Sequence, residues 1–165
     1  MEHKEIISGE GLGKIKFGMT RDAVKVLIGE PDEVENYSYA DEEEDYNEDD
    51  EDLTELWHYD ELELSLSFDK LEDWRLINMA VSSDGYTLKG KKVIGLERQE
   101  LLGLLKSMDL GHLEYEDHSS TETPNHKLIS AEDAGINFWL ENEVLTEIQW
   151  GPRFKDDDSV IWPKQ

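Results

Sequence analysis

His112, Glu114, Glu116 and His118 alternate along the chain, and in an extended strand all four side chains would share one face. Imidazole nitrogens and carboxylate oxygens are ligands that a divalent cation takes, so the run is a candidate metal site. A flat strand sets its outer histidines about 20 Å apart, too far to share one ion, and a solvated sheet face gives the same alternation. His126 can join either histidine only through the loop between them. For nucleophilic chemistry the candidates are Ser119, Ser120, Thr121 and Thr123, beside His118 and Asp117. Triads are assembled from separate segments, and there is no Gly-x-Ser-x-Gly elbow, so a hydrolase is not expected.

Asp41, Glu42, Glu43, Glu44, Asp45, Glu48, Asp49, Asp50, Glu51 and Asp52 make ten of the twelve residues between Asp41 and Asp52 acidic, with Tyr46 the one apolar anchor. As a calcium loop the tract fails. The register starting at Asp45 puts Asp50 where an EF-hand needs glycine and Leu56 where it needs a bidentate glutamate. It reads as an exposed, self-repelling loop. The other unusual run, Gly9-Glu10-Gly11-Leu12-Gly13, precedes a strand and has no Lys-Ser or Lys-Thr at phosphate-loop spacing, so it reads as a flexible lead-in. No cofactor is expected.

The formal charge of −25, from 41 acidic and 16 basic side chains over 165 residues, argues against phosphate backbones and anionic lipid as partners. Its natural complement is a protein with a basic surface. The chain has no cysteine, which removes disulfides, thiolate catalysis, zinc–cysteine sites and iron–sulfur clusters together. Met1 to Gly9 shows neither a charged-then-apolar signal region nor a lipidation cysteine, and no apolar run approaches a membrane span, so the expected location is the cytoplasm.

The elements that must position these groups are legible in part. Ile15 to Phe17 reads as extended, and Thr20 as an N-cap whose hydroxyl accepts a free backbone N–H. Ala23, Val24, Leu27 and Ile28 then form one helical face, which Gly29 and Pro31 close. Glu55 to Tyr59 and Leu62 to Phe68 alternate as a hairpin turning at Asp60-Glu61, and Arg75 to Val81 completes a meander. The second half repeats this plan. A shift of 77 places Gly18 on Gly95, Arg21 on Arg98, Val24 on Leu101 and Ile28 on Leu105. Ile136 to Leu140 matches Leu64 to Phe68 at an offset of 72, and Ile148 matches Ile77 at 71.

The expected fold is therefore α+β, with helices packed on one face of a largely antiparallel sheet in two tandem helix-then-meander repeats. These span 1–84, with the acidic loop at 41–52, and 85–150, followed by a tail, 151–165, that docks by its aromatic end. Most strand aromatics belong to the core, but Trp139 lies opposite in parity to Ile136 and Phe138. It is placed to stand on the open sheet face as an anchor for a partner.

The string Ile15-Lys16-Phe17-Gly18-Met19-Thr20-Arg21-Asp22-Ala23-Val24, followed by Leu27, Gly29 and Pro31, resembles the entry motif of a known superfamily. That superfamily comprises the SmpA/OmlA outer-membrane lipoproteins and the beta-lactamase inhibitor protein. The resemblance implies helices on an antiparallel sheet, no catalysis, and protein binding through the sheet surface and loops. The sequence departs from the lipoproteins in lacking the signal and anchoring cysteine, and from the secreted inhibitor in lacking cystines. Beta-lactamase is accordingly not the expected target.

Together these readings lead to a non-catalytic, protein-binding or inhibitory protein of the immunity type, which neutralises a cognate bacterial toxin or nuclease. The acidic loop Asp41 to Asp52 would steer the partner and Trp139 would supply contact area. The alternatives are a structural or assembly module related to envelope lipoproteins, and a small metal-dependent enzyme using His112, His118 or His126.

Overall fold

Ile6, Leu12 and Ile15 fit neither a helix nor a long strand, yet all three are buried, because the glycines between them let the chain double back twice. The computed structural model describes residues 4–38, 53–122, 124–155 and 159–163. Its first three strands are β1 (Glu5–Ile7), β2 (Gly11–Leu12) and β3 (Ile15–Lys16). Gly11 takes φ +147°, and a Cβ there would run into the Ile15 carbonyl oxygen. The Gly11 carbonyl accepts a buried hydrogen bond from Trp150 Nε1 at 3.1 Å. The glycine run is thus no flexible lead-in: it is pinned to a strand 139 residues away.

Helix α1 (Arg21–Ile28) begins where Thr20 stands outside it at ψ 163° and accepts from the Ala23 N–H at 3.2 Å. It ends at Gly29, whose φ of 86° turns the chain away while its N–H donates to the Lys25 carbonyl at 2.8 Å. Four antiparallel strands follow: β4 (Glu33–Ser38), β5 (Leu53–Tyr59), β6 (Leu64–Asp69) and β7 (Arg75–Val81), the last two joined through a 3-10 turn at Lys70–Glu72. Tyr59 pairs with Leu64, so the β5–β6 turn is four residues long, not the two expected, and Leu62 lies in it. Glu63, at φ 47°, closes that turn.

After β8 (Thr87–Leu88) and β9 (Lys91–Lys92), the order recurs as α2 (Arg98–Ser107), β10 (Leu113–Asp117), β11 (His126–Ala131), β12 (Ile136–Glu141) and β13 (Val144–Trp150). Two backbone hydrogen bonds recur at the helix entries. Gly18 N–H donates to the Leu76 carbonyl and Leu76 N–H to that of Met19, while Gly95 N–H donates to Leu145 and Leu145 N–H to Leu96. Both glycines hold positive φ, 93° and 100°. This equates Leu76 with Leu145, so Ile77 corresponds to Thr146 and not to Ile148 as the sequence suggested. The five-residue connection at 70–74 against the two-residue turn at 142–143 accounts for the difference.

The main sheet runs β10-β11-β12-β13-β7-β6-β5-β4, antiparallel throughout, with β7 and β13 joining its halves. Alternation sends Trp57, Leu64, Leu66, Met79, Val81, Phe138, Ile148 and Trp150 to one face, where they form the core with Val24 of α1 and Leu101 and Leu105 of α2. The sequence did not announce a second sheet, β3-β2-β1-β8-β9, in which β1 and β8 pair in parallel. Strands of two or three residues are too short to show a period. The tail forms a small hairpin of β14 (Arg153–Phe154) and β15 (Val160–Ile161), and Trp162 packs against the core. Among the described residues no helix is long and apolar enough to cross a membrane.

Gly11 tests how firmly the first sheet is locked to the second half. Gly11→Ala should lower stability by on the order of 2 kcal/mol, through a strained positive φ and a backbone collision. A urea unfolding curve with a lower midpoint and unchanged slope is the expected result.

Candidate functional site: the open face of the sheet

With the core on one side, the same alternation sends a second set of side chains to the opposite face of the eight-stranded sheet. Cross-strand register places Glu33 opposite His58 and His58 opposite Ser65, with Ser65 opposite Ala80. Ala80 faces Gln149, which faces Asn137, and Trp139 lies between Glu147 on β13 and Leu128 on β11. The middle of this face is small and polar. One end carries a single histidine among carboxylates and the other carries two.

At the β10–β13 end, Trp139 has the parity expected of it, opposite to the buried Ile136, Phe138 and Leu140. His126 stacks on its ring at 5.0 Å between centroids and His118 meets it edge-on at 5.2 Å. Its Nε1 donates to Gln149 Oε1 at 3.3 Å, and Leu128, 7% exposed, is its cross-strand neighbour. The indole is thus half-buried and in contact with both imidazoles and with Gln149. His126 Nδ1 lies 3.8 Å from Glu141 Oε1, and His118 Nε2 lies 3.8 Å from Glu116 Oε1. Glu147 stands across from Trp139, and its carboxyl is pushed above the ordinary range by burial first and by the Glu141 charge second, with His126 acting the other way.

A bulge sets Glu147 across from Trp139. Trp139 pairs with Glu147 but Leu140 pairs with Leu145, so Thr146 is the extra residue, and its hydroxyl lies 3.3 Å from the Trp139 carbonyl, to which it donates. The same shift falls between Ser67 and Phe68 in the first half, where Ile77 is extra.

At the β4 end, Glu33, Glu35 and His58 each present one ligand atom, and these atoms all lie within 4.8 Å of one another. His58 Nδ1 is 3.0 Å from Ser65 Oγ, and Nε2 is 3.6 Å from Glu35 Oε1. Beside it, His58, Ser65, Ala80 and Glu147 help to line a cavity of about 260 Å³. Sequence reading missed this cluster, because Glu33 and His58 are separated by the acidic tract and only strand pairing brings them together.

Of the sequence candidates, His118 and His126 are brought together on Trp139, whereas His112 faces Glu114 at 3.6 Å. Ser119 does not form a triad with its neighbours. Its Oγ donates to the His126 carbonyl at 3.4 Å and accepts from the His126 N–H at 3.0 Å, which ties β10 to β11. Asp117 is engaged by Ser119, whose hydrogen bonds hold its carboxyl below the usual range. Thr123 and the whole steering segment, Asp41, Glu42, Glu43, Glu44, Asp45, Tyr46, Glu48, Asp49, Asp50, Glu51 and Asp52, lie outside the described residues. Away from this face, a cleft of about 460 Å³ holds Arg21 between Glu55, at 3.0 Å, and the Trp74 ring, at 4.6 Å, so its charge is already engaged. The Tyr59 phenol, which donates to the Gly29 carbonyl at 2.8 Å, is pushed up to about 12 by burial and then by Glu30 and Asp32, so it is no base at neutral pH.

No protein-family model matches the chain, and no curated protein matches its sequence. Among solved structures it is similar to a 1.5 Å crystal structure of an extracellular protein containing a SCP domain from Bacillus anthracis str. Ames, with a TM-score of 0.45 and 14% identity. That alignment covers 90% of this chain and 49% of the other, so the chain spans about half that protein's length.

Glu147 gives the face a pH signature. A carboxyl whose folded pKa is raised binds its proton more tightly in the folded state, so its ionisation costs stability once pH rises above the unfolded value. Glu147→Gln should therefore raise the unfolding midpoint at neutral pH, and the gain should vanish below about pH 4, where both states are protonated. Parallel urea titrations at the two pH values check the sign.

Proposed function

We propose that this chain is an acidic, non-catalytic binding protein that inhibits a basic protein partner, in the manner of an immunity protein that neutralises a bacterial toxin or nuclease in the cytoplasm. The observation that carries the reading is Trp139, an indole clamped by His118 and His126 on the side of the sheet away from the core. Tryptophan is the side chain most enriched among residues that dominate interface energies, and a ring held in place loses little rotamer freedom when a partner covers it. The small middle of the face, Ser65 and Ala80, leaves room for a protruding loop between the two histidine-bearing ends.

The charge of −25 supplies the other half of the mechanism. A field of that sign raises the local concentration of a basic partner and speeds encounter, while the apolar contact at Trp139 governs how long the complex lasts. The run of one helix and four strands made twice, with matching helix entries and bulges, supports the reading of the chain as a duplicated scaffold. The resemblance of the segment from Ile15 to Pro31 to the inhibitor and lipoprotein superfamily points the same way.

The test is capture from the native host followed by kinetics with the captured protein. Its association rate should fall roughly tenfold or more as salt rises from low to high ionic strength. Trp139→Ala should weaken binding by about 2 kcal/mol, or roughly 30-fold, chiefly through faster dissociation. An association rate indifferent to salt, or a complex that Trp139→Ala leaves unchanged, would overturn the reading.

A further inference from the structure

We propose that Glu33, Glu35 and His58 form a binding site for one divalent transition cation, with zinc the best fit. The site lies on the opposite end of the sheet from Trp139 and does not depend on the partner-binding reading.

The backbone builds the cluster. Glu33 is directly across β4–β5 from His58, and Glu35 is two residues along on the same face, so all three side chains rise from adjacent positions of one sheet surface. Their ligand atoms already lie within 4.8 Å of one another. Zinc bonds to imidazole nitrogen and carboxylate oxygen at about 2.0–2.2 Å, which for tetrahedral geometry sets ligand atoms about 3.4 Å apart. The cluster must therefore contract by little more than an ångström, and the two glutamates are exposed, so side-chain rotation alone can supply the movement.

The contacts of the imidazole leave one of its nitrogens for a cation. His58 Nε2 is itself buried and makes no hydrogen bond, although the ring as a whole retains 25% of its exposure. Glu35 Oε1, at 3.6 Å, is too far to satisfy it. The other nitrogen, Nδ1, has a partner in Ser65 Oγ at 3.0 Å. In the tautomer whose Nδ1–H donates to that hydroxyl, Nε2 is the ring atom left to take a ligand beside the two carboxylates. This is the tautomer and the supporting contact that a metal-bound histidine requires.

The donor set selects among cations. One imidazole with two carboxylates is a borderline set that suits zinc, or manganese and iron in their divalent states, better than magnesium or calcium, which favour all-oxygen shells. Two carboxylates balance the charge of a divalent ion, and the negative field of the whole chain adds to the attraction. Three protein ligands leave at least one position for water.

The experiment uses the full chain, stripped with a chelator and titrated calorimetrically with zinc chloride in about 0.15 M salt, where condensation on exposed carboxylates is screened. Wild type should show one saturable equivalent that magnesium and calcium fail to displace, and the His58 imidazole nitrogen signals should shift with it. His58→Asn should abolish that equivalent. Glu33→Gln, which alters only an exposed side chain, should weaken it at least about tenfold, and Ser65→Ala should do so by a comparable factor through loss of the orienting contact. Wild-type binding without a one-equivalent step, or a step that persists unchanged in either His58→Asn or Glu33→Gln, would overturn the proposal. Far-UV circular dichroism of each variant separates loss of the site from loss of the fold.

Discussion

The antiparallel pairing of β7 with β13 is the interaction on which the molecule depends. Each half supplies four strands and one helix, of eight residues in the first and ten in the second, and the seam merges them into one sheet. The seam pairs Val81 with Ile148 and Met79 with Trp150, with Ala80 opposite Gln149 between them. It places four large apolar side chains, each no more than 1% exposed, at the middle of a common core. Trp150 then reaches beyond the sheet to the Gly11 carbonyl and so ties in the five-stranded sheet as well. The two ends of the open face keep their spacing because one hydrogen-bonded surface runs between them.

What could be read from sequence was what is decided locally. The first helix was legible from Thr20 to Gly29 because capping chemistry depends on residues three or four apart, and Arg75 to Val81 was legible because one face of it is buried. Trp139 could be assigned to the outer face by parity alone. The polar edge strands β4 and β10 carry few apolar residues to mark a period, and β1 pairs with β8 across some eighty intervening positions. His58 was invisible as a site residue for the same reason: its neighbours Glu33 and Glu35 become neighbours only when β4 folds back on β5. A pattern read along the chain cannot supply a register between strands.

Arg21 and Arg98 occupy equivalent places at the two helix entries and show how so acidic a chain uses its few cations. Arg21 lies over Trp74 and bonds Glu55, whose other oxygen accepts from Trp57 Nε1 at 2.6 Å. Arg98 lies over Tyr115 at 5.3 Å, donates to its hydroxyl at 3.0 Å, and pairs with Glu143 at 3.2 Å. Each arginine joins the start of its helix to a carboxylate and an aromatic ring, one on a strand of the sheet and the other on a connection between strands. At both helix entries, positive charge is used for internal bracing.

Among the described residues the main sheet does not close on itself, and no strand pairs with the outer side of β4 or of β10. Glu33 and Glu35 on one border, and Glu114, Glu116 and Asp117 on the other, set like charges against a second copy approaching laterally. Colloidal stability is thereby made conditional on those carboxylates staying ionised. In an acidified medium the repulsion would lapse while the hydrogen-bonding rows remained, and growth of molecule upon molecule into fibres is the hazard that this open-ended architecture carries.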